Sequence, residues 1–166
     1  MISKANLRFH LSGGEQNTDP AKSIGGDMSE TQLRGGLNKL FADVRGVQAE
    51  TGWTDYRCIY FWNADPDQDG LIDPAIWLST KPTTATFSIG VDPVGKNGSA
   101  QLIAKDTDAP GGVGFEVPET SVFPLWLPEA PYTEGEWIPL WVRRITPKGA
   151  SIGTEVVVLR LRGETY

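Results

Sequence analysis

The chain is poor in the residues that most chemistry needs. Among 166 residues there is one cysteine, Cys58, and one histidine, His10. A lone cysteine excludes an intrachain disulfide, and within Tyr56-Arg-Cys58-Ile-Tyr60 it reads as a small buried apolar residue rather than a nucleophile. His10 falls on the polar side of an alternating segment with no acidic or cysteine neighbour, so it reads as a solvated strand residue. No His or Cys cluster offers a transition-metal site. Positive charge is also short: 15 Lys and Arg against 21 Asp and Glu give a formal charge of -6. Such a field repels phosphate backbones and anionic lipid, which excludes nucleic acid as an expected partner. No apolar run approaches the roughly 20 residues of a membrane helix, and no basic start with an apolar run and a small-residue cleavage site marks a leader. The expectation is a soluble chain, unsecreted by the standard signal, with no membrane partner.

What the chain has in quantity is punctuation. Its 19 Gly and 12 Pro separate short aromatic and β-branched runs, a texture of strands and turns rather than long helices. Residues 1–166 suit a single domain large enough to bury a core without staples. Leu7, Phe9 and Leu11 alternate with Arg8, His10 and Ser12 in a half-buried strand, and 54–63 is apolar on both parities, as in a central strand. Strands are predicted also at 75–79, 84–90, 101–105, 113–117, 136–146 and 155–162. About eight strands at this spacing predict a mainly β fold, a single antiparallel sandwich or jelly-roll-like domain.

Two segments depart from that rhythm. Residues 13–36 hold three Gly pairs and few large apolar residues, which reads as a long Gly-rich arm or wrapping loop. Within it Ser29 and Gln32 have capping-box spacing, and beyond it Leu37, Leu40, Phe41 and Val44 have helical spacing that competes with a short strand.

The stretch 136–146 carries two chemically different faces. Ile138, Leu140 and Val142 share one parity and read as core, whereas Trp137, Trp141 and Arg143 share the other. The second set is too large and apolar for a solvated face and too cationic for a simple core, so it is expected to be a contact surface.

The sharpest local motif is Asp65-Pro-Asp67-Gln-Asp69-Gly70-Leu71-Ile-Asp73. Alternating carboxylates before a Gly can wrap oxygens around calcium, with Asp65, Asp67 and Asp69 giving side chains, Leu71 its carbonyl and Asp73 a direct or water-bridged contact. The EF-hand pattern then fails, because Ile76 stands where a bidentate Glu belongs and Pro74 pushes Asp73 toward an extended conformation. The alternative is a solvated acidic hairpin tip.

Enzyme patterns fail in context. Gly149-Ala-Ser151-Ile-Gly153 has the spelling of a nucleophile elbow, but a strand follows and the histidine lies upstream. Gly90 to Lys96 has phosphate-loop spacing, but Asn97 replaces the magnesium-binding hydroxyl. Both read as turns, and no enzymatic activity is expected. Six tryptophans raise a second class of function, stacking on sugar rings.

Taken in order, Leu11-Ser-Gly-Gly14, Asn17-Thr-Asp-Pro20, Ile24-Gly-Gly26, Tyr56-Arg-Cys-Ile-Tyr60, Gly112-Val-Gly-Phe115, Leu140-Trp-Val-Arg-Arg144 and Gly149-Ala150 resemble small β-rich virion structural proteins of tailed bacteriophages. The resemblance implies a capsid decoration or cement protein, or a tail-associated one. It would bind phage capsid or tail proteins as a homo-oligomer or symmetric assembly, located in the virion and assembled in the host cytoplasm. The acidic loop has no counterpart in that pattern, so no metal site comes with it. The alternatives are a calcium-assisted carbohydrate-binding β-sandwich module and a tail or neck structural protein.

Overall fold

A computed structural model describes residues 2–36, 38–66, 70–80, 82–151, 153 and 156–165. The strands are β1 (Leu7–Leu11), β2 (Trp53–Asn63), β3 (Leu71–Thr80), β4 (Thr86–Val91), β5 (Leu125–Trp126), β6 (Trp137–Thr146) and β7 (Val158–Thr165), with one short helix, α1 (Gly46–Thr51), before β2. They pair throughout as antiparallel neighbours in two sheets, β1-β2-β6-β4 and β5-β3-β7. The mainly β sandwich expected from the turn spacing is the fold observed.

Alternation explains the core between the sheets. Ile59 and Phe61 of β2, Ile138, Leu140 and Val142 of β6 and Ile89 of β4 face Leu71, Ile76 and Leu78 of β3 and Leu125 of β5. Burying each such side chain contributes about 1.5–3 kcal/mol, which makes this layer the main source of stability.

A second apolar layer lies on the opposite face of the larger sheet. There Tyr56, Cys58, Tyr60 and Trp141 are covered by Ala100 and Ile103, with Ile24, Met28, Val113, Phe115 and Trp137 packed around them. The cover consists of two long loops rather than strands. Residues 13–36 are therefore a wrapping loop folded onto their own sheet and not a free arm. Where β1 ends, Ser23 continues its work: its carbonyl accepts the Cys58 N–H at 2.7 Å, and the hydroxyls of Ser12 and Ser23 both donate to the Cys58 carbonyl. Further along the same edge Asp106 accepts the Tyr56 N–H at 2.7 Å. An exposed strand edge that would template pairing with another chain is closed in this way.

Close backbone approach explains two of the glycines. A Cβ on Gly25 (φ +105°) would sit 1.8 Å from the Gln101 carbonyl oxygen, and one on Gly90 would sit 2.4 Å from a Val113 methyl. Each lies where a covering loop crosses, and a side chain there would push that loop away.

Several local expectations are corrected. Residues 101–105 and 113–117 are not strands; apart from an isolated bridge between Ile89 and Glu116 they cross the sheet as loops. The helix lies at 46–51 rather than on the Leu40-Phe41-Val44 spacing, and Leu37 is outside the described residues. Leu40 and Phe41 instead pack on the end of the sandwich core. Ser29 and Gln32 cap no helix, since Gln32 bridges His10 while the Ser29 hydroxyl donates to the Asn17 carbonyl. β2 and β3 belong to different sheets and do not pair with each other, so they are not the two arms of one hairpin, and Asp67 to Asp69 lie outside the described residues.

Candidate functional site

The two faces of β6 separate as the alternation predicts, but the centre of the expected contact face, Trp141, is interior. Trp141 is fully buried, and its indole N–H donates to Asp92 Oδ2 at 2.8 Å. Asp92 is itself buried and accepts from the Val94 N–H and from the Gln101 backbone and side-chain amides. Trp137 is half-buried and donates to the Gly98 carbonyl. Arg143 donates to Ser88 Oγ at 2.9 Å, and its guanidinium lies 4.6 Å from the centre of the Phe115 ring. These residues hold loops 13–36 and 92–116 on the sheet, so Trp141 cannot also be a contact for a neighbour. The correction has a simple cause: whether an apolar strand face meets solvent, a partner or its own loops depends on contacts far away in sequence.

A Trp/Arg face that is exposed lies on the other sheet. Ala75 pairs with Trp126 on one side and Arg162 on the other, and the guanidinium of Arg162 lies 5.1 Å from the Trp126 ring centre. The two meet over Ala75, which is buried beneath them. Two residues along the same face, half-buried Trp77 pairs with exposed Arg160. In the segment leading into β5, Val122 and Phe123 are about three-quarters exposed, and Trp126 is about half exposed. Sequence reasoning passed over this surface, although Arg160 and Arg162 alternate with Leu159 and Leu161 in the pattern of a strand with a cationic outer face.

Three of the five candidate calcium ligands, Asp65, Leu71 and Asp73, lie within the described residues. Asp65 is buried, and its Oδ2 accepts the Ser3 N–H at 2.6 Å and the Asn6 side-chain amide at 3.1 Å, tying the N-terminal segment to the end of β2. The Leu71 carbonyl accepts the Tyr132 N–H at 3.1 Å. Asp73 is exposed in an irregular stretch of β3 with φ +47°, not the extended conformation expected before Pro74. Asp67 and Asp69 lie outside the described residues. Among the described residues no group of three or more His, Cys, Asp or Glu is gathered for a metal.

A cavity of about 370 Å³ opens on the outer face of the larger sheet, lined by His10, Tyr60, Trp62 and Trp137 and by the acidic residues Glu15, Asp27 and Glu30. His10 is buried here rather than solvated, because residues 29–32 cover β1. Its Nδ1 lies 2.8 Å from the Ser29 carbonyl oxygen and therefore carries the proton, which leaves Nε2 as an acceptor. Burial lowers the His10 pKa, the Ser29 bond opposes this and nearby Arg8 adds to the lowering. Trp62 meets the imidazole edge-on at 5.2 Å and carries the Arg8 guanidinium 5.7 Å from its centre.

The six tryptophans do not share one platform. Trp141 is interior, Trp53 is half-buried opposite Thr146 at the far end of β2, Trp62 and Trp137 are direct partners across β2 and β6, and Trp77 and Trp126 belong to the other sheet. No family model matches the chain, and neither a curated protein nor a solved structure matches it.

Proposed function

We propose that this protein is a non-enzymatic structural subunit of a tailed-phage particle, a capsid decoration or cement protein that binds neighbouring subunits through the outer face of β5-β3-β7. The observation that carries this reading is the exposed surface of Trp126, Arg162, Trp77 and Arg160 beside Val122 and Phe123. Interface energy concentrates in Trp and Arg anchors, and a contiguous apolar patch rimmed by charge is the usual mark of a protein contact. The covered β2 edge and buried second core support the same reading, since they leave the outer face of β5-β3-β7 as the surface offered to a neighbour. The order of quoted segments that resembles virion proteins agrees with it.

The test is the copy number of the chain in purified particles, compared with Trp126→Ser/Arg162→Ser. A symmetric particle holds the native chain at a copy number set by its icosahedral or tail symmetry, while the variant folds normally and is depleted. Absence of the native chain from particles, or full incorporation of the variant, overturns the proposal. The division of the tryptophans between two faces weighs against the sugar-binding alternative, which requires several coplanar indoles.

A further inference from the structure

The cavity on the opposite side of the sandwich has a chemistry of its own, and acceptors dominate it. Three of its hydroxyl and indole donors are spent inside the chain, Tyr60 O–H on the Gly26 carbonyl, Trp137 Nε1–H on the Gly98 carbonyl and the Ser29 hydroxyl on the Asn17 carbonyl, and the Trp62 indole is the remaining ring donor. The Ser99 hydroxyl is held on Asp27 Oδ1. The lining also includes three exposed acidic residues, Glu15, Asp27 and Glu30, together with the aromatic residues Tyr60, Trp62 and Trp137. Among the described residues no Lys or Arg lines the cavity.

His10 supplies the independent observation. It is only 4% exposed and lines the cavity, and Nε2 is a buried ring nitrogen without a hydrogen-bond partner. An orphaned buried acceptor costs about 1–3 kcal/mol, so a donor arriving from a guest recovers energy that the free chain lacks. Trp62 already carries one cation, Arg8, against its ring, which shows that an indole at this rim can hold positive charge.

We propose that this cavity is a socket for a basic side chain, the ammonium of a lysine or guanidinium of an arginine on a protein partner, with His10 Nε2 accepting one N–H and Glu15, Asp27 and Glu30 balancing the charge. The guest's N–H groups are all donors, matching a wall rich in acceptors, and its alkyl stem lies against Trp62, Trp137 and Met28. A sugar is the poorer match because its hydroxyls need donors from the wall as well as acceptors. The inference does not rest on the particle assignment, and it is tested on the isolated chain.

The single histidine makes the experiment direct. The ¹⁵N resonance of His10 Nε2 and the tryptophan emission are followed while the chain is titrated with Nα-acetyl-lysine amide, Nα-acetyl-arginine amide, the neutral Nε-acetyl form of the lysine probe, and chitotriose. Millimolar contacts of one side chain saturate at about 50 mM. The expected result is a saturable His10 shift with the two cationic probes, absent with the neutral probe, and weakened about five- to tenfold in Glu15→Gln/Glu30→Gln. Both substituted residues are exposed, so the variant keeps its fold, checked by an unchanged urea midpoint. Equal binding of the neutral probe, binding of chitotriose in place of the cations, or no His10 response up to that concentration overturns the proposal.

Discussion

Trp141 donates its indole N–H to Asp92 Oδ2 at 2.8 Å, and both residues are buried. This bond joins the centre of the larger sheet to the loop that covers it. It also turns what the strand's alternation presents as an outer face into a second core. Since Asp92 also holds Val94 and Gln101, one carboxylate organises the start of the loop and its return past residue 100.

The two faces of β6 should therefore fail alike. Leu140→Ala is expected to destabilise the chain by about 2–5 kcal/mol and Trp141→Ser by about 3–5 kcal/mol, each through lost burial and a residual cavity. Trp141→Phe keeps most of the volume but removes the donor, at a further expected loss of about 1–3 kcal/mol for the buried carboxylate. Urea unfolding measures all three. An unchanged midpoint for Trp141→Ser would return the indole to the surface.

Asp55 and Arg144 face each other across β2 and β6, with Nε to Oδ1 at 2.9 Å and Nη2 to Oδ2 at 2.7 Å. The same guanidinium donates to the Ala42 carbonyl at 2.8 Å and lies 4.7 Å from the centre of the Phe41 ring, pinning that loop over the end of the sandwich. Asp55→Ala leaves a buried cation unpaired and is expected to lose about 3–5 kcal/mol, whereas Asp55→Leu/Arg144→Met should lose less, since an apolar pair carries no desolvation cost. Thermal melts together with proteolysis at Lys39 or Arg45 check both statements. A double variant worse than the single one would show that Arg144 is needed mainly for the loop.

The sheets were largely legible in the sequence because alternation reports which side chains are buried. It does not report what buries them. Leu102 and Ile103 illustrate the difference: one is exposed and the other buried, as in a strand, yet the segment crosses the sheet as a loop. The alternation of Val113 and Phe115 likewise marks packing onto the second core without strand pairing. β5 spans two residues, Leu125–Trp126, too short for any periodic signal, and without it the exposed Trp126–Arg162 contact could not be anticipated. His10 was legible as a strand residue on the Arg8 side but not as buried, because its cover comes from Ser29 to Gln32, a stretch with no apolar pattern.

Stability should fall in mild acid through His10. Its pKa in the fold is lowered by burial, the Ser29 carbonyl partly opposing and Arg8 adding to the effect, whereas in the unfolded chain it titrates near its ordinary 6.5. Between these values the unfolded state binds the extra proton, so stability is complete above the unfolded pKa and declines as pH falls through 6.5 toward the folded value. Urea midpoints at about pH 7.5 and 5.5 bracket this window, most of which lies above ordinary carboxylate titration. His10→Gln should flatten the difference. An equal acid loss in that variant would assign it to other groups.

The last expectation separates the two readings of the acidic segment. Asp65 Oδ2 accepts from Ser3 and Asn6, so Asp65→Ala releases the N-terminal segment and strands two donors. Asn6 is half-buried and Ser3 exposed, and the expected loss is about 1–3 kcal/mol whether or not calcium is present. A metal ligand behaves differently. Calcium that binds only the folded chain stabilises it by RT ln(1 + [L]/Kd), and an Asp65 whose main role is coordination would show its deficit only when the ion is supplied. Melts of the native chain and Asp65→Ala in chelator and in millimolar calcium therefore give a two-by-two comparison. Equal deficits in both conditions identify a structural tether between the N-terminal segment and β2, and a deficit confined to calcium identifies a cation site in which Asp67 and Asp69 become the next residues to substitute.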